Sequence, residues 1–154
     1  RRVIRRGDVR LIGTFYIYDR HSSELREISN VAAHRGQDFI IWSPDQSLIA
    51  TIARNGNVLL WDAISGELIS TLDSHATQLR FSPDGRELVI LTPNIYLELL
   101  NLQARLRTTY IAQKRFNDAV YSADGKRLIL VHSGKSRQVE VWHRGAPANE
   151  FSIP

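Results

Sequence analysis

Five histidines, His21, His34, His75, His132 and His143, are the residues of this 154-residue chain best suited to acid–base or metal chemistry. None of them forms His-x-His or His-Glu-x-x-His, and with no cysteine a zinc ion has no spaced ligand set. A Gly-x-Ser-x-Gly nucleophile turn, a phosphate-cradling glycine loop and a carboxylate pair spaced as a catalytic dyad are equally missing. Ser133-Gly134-Lys135-Ser136 resembles the tail of a phosphate loop. It lacks the glycine four residues earlier and a following helix, so it reads as a hairpin turn. The expectation is a chain that is not an enzyme, with no catalytic residue, no metal ligand and no cofactor.

The elements that carry these residues are strands. Apolar or alternating stretches of strand length fall at 9–12, 15–18, 24–29, 38–42, 48–53, 57–61, 68–72, 77–81, 87–91, 95–100, 106–112, 119–121, 127–132, 138–142 and 149–153. Turn residues separate them. Asn55-Gly56, a pair that tolerates positive φ, joins 48–53 to 57–61 as a hairpin. The run 38–42 is almost wholly apolar, which suits a strand buried on both faces. No window keeps a 3.6-residue apolar period. Residues 96–107 come nearest to helix on propensity, but the register of the neighbouring turns assigns them to two strands.

Those turns recur. Ser43-Pro44-Asp45, Ser82-Pro83-Asp84-Gly85 and Ser122-Ala123-Asp124-Gly125 start 39 and 40 residues apart. Trp61-Asp62 closes the first unit, Leu100-Asn101 and Trp142-His143 close the next two, and Tyr18-Asp19 stands 43 residues before Trp61-Asp62. Units of this length with four strands each suit a propeller blade. On these residues the chain resembles the WD-repeat β-propeller family: Ala33-His34 takes the place of the Gly-His loop, followed by Ser-Pro-Asp, Asn-Gly and Trp-Asp.

The resemblance implies an all-β chain of about three and a half to four four-stranded blades, a partial and unclosed propeller. A partial blade I spans 1–29, with blade II at 37–72, blade III at 77–111 and blade IV at 117–154. It also implies a buried hydrogen-bonded chain through Trp61, Thr51 and His34, with Asn55 in the position of an aspartate. Asp62 completes the closing Trp-Asp pair of that repeat, and His75 and Trp142 hold matching places in the later ones. The three inner strands of each blade should be apolar on both faces, and the outermost strand should meet solvent.

Composition sets the remaining bounds. A hydrophobic share of 43% is ordinary for a globular protein, and no stretch approaches the ~20 apolar residues of a membrane-spanning helix. No secretory signal opens the chain, and the lack of cysteine fits a reducing, cytoplasmic setting. Formal charge is +4, all of it within residues 1–35, yet two isolated arginine pairs fall short of a nucleic-acid stripe. In the family, the turns on one face of the propeller commonly hold partners. Here Arg35, Arg54, Lys114, Arg115, Lys135 and Arg137 lie in or beside them, which makes that face basic and suits an acidic peptide or protein. The function expected is therefore a protein-interaction scaffold. Two alternatives stay open: the C-terminal sensor propeller of a larger bacterial signalling protein, and an accessory propeller gating a hydrolase. Further blades of a parent chain, or a second copy, are the other partners expected.

Overall fold

A computed structural model describes residues 12–18, 23, 25–32, 40–53, 55–93, 96–111, 115–132 and 139–144. Among these residues there are thirteen strands and no helix, so no helix is long and apolar enough to cross a membrane. They form four antiparallel sheets, each connecting strands in chain order. The first pairs β1 (Ile12–Tyr18) with β2 (Leu25–Ala32). The second runs β3 (Ile40–Trp42), β4 (Leu48–Ile52), β5 (Val58–Asp62) and β6 (Leu68–Leu72). The third runs β7 (Gln78–Phe81), β8 (Glu87–Leu91), β9 (Tyr96–Asn101) and β10 (Leu106–Ile111). The fourth holds β11 (Phe116–Tyr121), β12 (Arg127–His132) and β13 (Val139–His143). Strand β2 continues three residues past position 29, and β11 begins one residue before 117. The stretches 9–11 and 149–153 lie outside the described residues.

The sequence explains where each sheet turns. All three Ser-x-Asp turns have one hydrogen-bond plan. The hydroxyl donates to its own aspartate at 2.6, 2.6 and 2.5 Å for Ser43, Ser82 and Ser122. The same oxygen accepts the backbone N–H that opens the next strand, from Leu48, Glu87 and Arg127. The turn ends in a left-handed residue: Gln46 at φ 61°, Gly85 at 70° and Gly125 at 68°. Glycine reaches that region without steric cost and glutamine does not. A tight start to the second strand of the second, third and fourth sheets follows from five residues.

Residues 96–107 resolve the competition between helix and strand. They form β9 and β10, paired from Tyr96↔Ile111 to Asn101↔Leu106. The turn between them has Arg105 at φ 52°, and Asn101 Oδ1 accepts the N–H groups of Gln103 (3.1 Å) and Ala104 (2.8 Å). A side-chain acceptor reaching two and three residues ahead halts a helix and starts a turn.

Each sheet has a forward face toward the next sheet in the chain and a rear face toward the previous one. The core consists of the layers where these meet. Ala50, Ile52, Val58 and Leu60 on the forward face of the second sheet pack on Ala76, Leu79, Leu88, Ile90 and Leu100 of the third-sheet segment. Val89, Leu91 and Leu97, with Leu99, then pack on Phe116, Ala119, Leu128 and Leu130 of the fourth. The middle strands are buried on both faces, whereas β6 and β10 are mostly exposed, as an outermost strand should be. The inner strand β3 departs from the reading of 38–42 as doubly buried. Ile41 packs forward, but Ile40 and Trp42 are exposed. They stand on the rear face, where the described residues of the first sheet supply only two strands to cover them.

Candidate functional site

Strand pairing places the conspicuous aromatic first. Trp61 lies opposite Ile49 and on the same face as Thr51, and it is buried with Ile49, Leu59 and Ala63. Its Nε1–H donates to Thr51 Oγ1 at 3.0 Å inside that layer. His34, the histidine of the same repeat, lies outside the described residues. Asn55 is exposed, and its Oδ1 accepts the Asn57 N–H at 3.0 Å, so it shapes its own turn.

Asp62 also serves a turn. Its Oδ1 accepts the N–H groups of Ser65 (2.7 Å) and Ile64 (2.9 Å), and these backbone bonds, Ser65 first, hold its carboxyl below the usual carboxylate range. Asn101 makes the equivalent pair of bonds in the third sheet with a neutral amide. The residue after each turn's anchor bonds across to the Ser-x-Asp turn of the same sheet: Ala63 N–H to Ser47 O, Leu102 to Arg86 O and Arg144 to Lys126 O, all at 2.9 Å. Leu100-Asn101 and Trp142-His143 are thus in register with Trp61-Asp62.

Two carboxylates missed in the sequence sit at the centre of this arrangement. Glu98 lies opposite Ile90, and Glu140 lies opposite Leu130, the same place in consecutive sheets. Glu98 is buried and accepts from Ser74 Oγ at 3.1 Å and from Arg107 Nη2, while Arg107 Nη1 donates to the Asp73 carbonyl at 2.8 Å. A buried charge needs such partners. Ser74 therefore takes the buried role in its loop, and His75 beside it is exposed. No indole in this sheet calls for an acceptor, because strand β9 carries Leu100. In the fourth sheet Glu140 contacts His132 Nε2 at 2.7 Å and accepts from Trp142 Nε1 at 3.2 Å. His132 is buried and tilted against the Phe116 ring, and Trp142 meets Tyr110 edge-on at 4.8 Å. A glutamate inside an apolar strand, two residues before the closing aromatic or leucine, was the available signal.

A second group of charges ties the third sheet to the fourth. Arg144 donates to Asp84 Oδ2 at 2.6 Å and lies 3.0 Å from Glu87 Oε2, which also accepts the Tyr121 hydroxyl at 3.1 Å. The Arg144 guanidinium holds the Asp84 carboxyl well below its ordinary range, assisted by the Ser82 hydroxyl. Burial, followed by the Glu87 charge, pushes the Tyr121 phenol well up. Nearer the inner edge Arg80 Nη2 reaches Asp118 at 3.2 Å, and Gln78 Nε2 donates to the Asn117 carbonyl at 2.9 Å.

The loops at one end of the sheets are stitched as well. The Ala76 N–H donates to the Gly56 carbonyl at 2.9 Å, which ties the Asn-Gly turn of the second sheet to the loop entering the third. Gly56 has φ 87°, and a β-carbon there would stand 3.0 Å from the His75 Cα. Of the six basic residues assigned to this end, Arg115 is described and exposed, whereas Arg35, Arg54, Lys114, Lys135 and Arg137 lie outside the described residues. Among the described residues no cluster of His, Asp and Glu is arranged to hold a metal ion.

Comparison with known proteins accords with this geometry. Residues 14–62 match the WD domain, G-beta repeat family. The match starts in β1, spans β2, and ends with β5, so the sequence repeat straddles two sheets. No curated protein matches the chain in sequence. Solved structures similar to it include that of U3-55K (TM-score 0.58, 18% identity, 72% of this chain and 38% of that one). Another is the WD40 repeats of RRP9 (0.58, 18%, 72% and 37%). A third is the Cps50 (Swd1) β-propeller domain of Myceliophteria thermophila (0.63, 17%, 78% and 38%). The chain matches less than two fifths of the length of each. Residues 14–62 thus match a WD repeat, and the described residues form an all-β, unclosed run of propeller blades similar in fold to WD40 propellers.

Proposed function

We propose that this chain is a non-catalytic scaffold that docks a protein or peptide partner on the face carrying the Asn-Gly turn and the loops entering each sheet. The supporting observation is the Ala76–Gly56 bond, which fixes two of these loops together over buried strands and so offers a preorganised surface. The charge of that face, taken from sequence position, favours an acidic segment. A cytoplasmic setting is part of the same reading.

The test is binding of fluorescent acidic and basic peptides to the intact chain, followed by anisotropy at two salt concentrations. Acidic peptides should bind more tightly and lose affinity as salt rises. Charge reversal at Arg54, Arg115 and Lys135 together should weaken them about tenfold or more. Equal binding of both peptide classes, unaffected by reversal, would refute the charged docking face.

A further inference from the structure

The second, third and fourth sheets repeat one another position by position, so one joint shows what another lacks. Strand pairing sets Leu100 against Leu88 in the third sheet and Trp142 against Leu128 in the fourth, the same place after the Ser-x-Asp turn. It sets Leu72 against Val58 in the second sheet and Tyr110 against Leu97 in the third, again one place. Between the third and fourth sheets these two positions hold Tyr110 and Trp142, whose rings meet edge-on at 4.8 Å. Between the second and third they hold Leu72 and Leu100.

A groove of about 380 Å³ opens where the aromatic pair is missing, an ordinary size for a binding pocket. Leu60 and Ser70 of the second sheet form one wall, and Leu100 and Leu102 of the third form the other. Ser70 stands opposite Leu60, so the outer end of that row carries only a short side chain. Ile69, half exposed, continues the apolar surface outward.

Charge marks the rim. Arg105, in the turn between β9 and β10, lines the groove and is exposed. It has no ion pair among the described residues. Glu67, just ahead of β6 on the opposite wall, is also exposed. A carboxylate entering the groove is therefore attracted on the Arg105 side and repelled on the other. Beside the groove runs β6, the last strand of its sheet among the described residues, which presents an edge to a further strand. In an added strand every second side chain shares the face of Ser70 and points at the groove.

We propose that this groove docks an extended segment of a partner protein. The segment pairs with the edge of β6, seats a tryptophan ring between Ser70 and Leu100, and sets an acidic residue two positions away on Arg105. The Tyr110–Trp142 contact is the precedent for the ring, and the unpaired guanidinium selects the acid. The groove adjoins the Ser-x-Asp turns, since Leu48 follows one and the Leu102 N–H bonds to Arg86 O of another. It is thus separate from the docking face proposed above, which carries the Asn-Gly turn.

The test is anisotropy of a fluorescein-labelled peptide, Thr-Glu-Thr-Trp-Thr-Glu-Thr, titrated with the intact chain; its symmetry suits either strand direction. It should bind saturably, and the same peptide with alanine in place of tryptophan should bind about tenfold more weakly or worse. Ser70→Trp, which fills the groove from within, should weaken binding by a similar factor. If that variant loses its β-sheet circular dichroism, Ile69→Lys on the exposed rim is read by the same criterion. Arg105→Gly should weaken binding about threefold to fivefold. Arg105 has φ 52°, which suits glycine, so this variant should melt no lower and its loss of binding is not unfolding. Indole-3-acetate, the ring and the acid without a chain, should compete about tenfold more weakly than the peptide or worse. Charge reversal at Arg115 should leave the peptide's affinity unchanged. Equal binding of the tryptophan and alanine peptides overturns the proposal, as does binding indifferent to Arg105→Gly or to the groove-filling variant. Indole-3-acetate binding as tightly as the peptide, or peptide binding that needs Arg115, overturns it as well.

Discussion

At the scale of single residues, the fold depends on a few side chains whose oxygen or nitrogen atoms answer a specific backbone or ring group. Thr51→Val keeps the shape of the strand and removes the acceptor 3.0 Å from the Trp61 indole. It should cost about 1 kcal/mol in denaturant unfolding. Trp61→Ala removes the buried ring itself and should cost roughly 3–5 kcal/mol. Gln46 departs from the pattern in the opposite direction, holding φ 61° where the two later turns have glycine. Gln46→Gly should raise stability by about 0.5–1 kcal/mol, as relief of left-handed strain exceeds the added chain entropy, and thermal melts would read it. The serines, aspartates and Trp61 were legible in the sequence because their partners lie within a few residues or on the adjoining strand. Glu98 and Glu140 were not. The hydroxyl that Glu98 accepts comes from Ser74, 24 residues earlier, and no local spacing announces such a pair.

At the scale of elements, most strands among the described residues stand where alternation and turn chemistry agree, although β1 runs unbroken through Gly13, where the glycine had suggested a break between 9–12 and 15–18. The partial exposure of β3 was not legible, since it depends on how many strands face it from the neighbouring sheet and not on its own composition. Asn101 shows why Leu100-Asn101 can replace Trp-Asp: the turn needs an acceptor two and three residues ahead, and an amide oxygen supplies it as well as a carboxylate. The Asn-Gly turn has a stricter requirement. Gly56→Ala forces a β-carbon against the His75 backbone at a positive φ, and should cost about 1–2 kcal/mol from the conformation alone. Amide exchange at Ala76 should accelerate with it, since that N–H depends on the Gly56 carbonyl.

At the scale of the whole molecule, buried apolar layers join one sheet to the next, and one such joint senses acid. The Asp84 carboxyl is held below its ordinary value of 3.8 by Arg144 and Ser82. A group depressed in the folded state contributes stability in full above its unfolded value and loses it as pH falls through the folded one. Unfolding monitored between about pH 5 and pH 2 should therefore show a steeper loss in the native chain than in Asp84→Asn, with the same ordering absent near neutrality. The Asp84 side chain is well exposed, so the difference should be modest and should shrink in high salt.

The offset between the matched stretch, which ends with β5, and the sheet, which ends with β6, has a consequence for how such chains grow. The matched unit lends β2 and most of β1 to the sheet behind it, as a course of bricks overlaps the one before. A tandem duplication of about forty residues, begun at any phase, would insert one whole sheet with its seams already interlocked. Lengthening by copying is therefore easy for this architecture, and a clean cut between neighbours is hard.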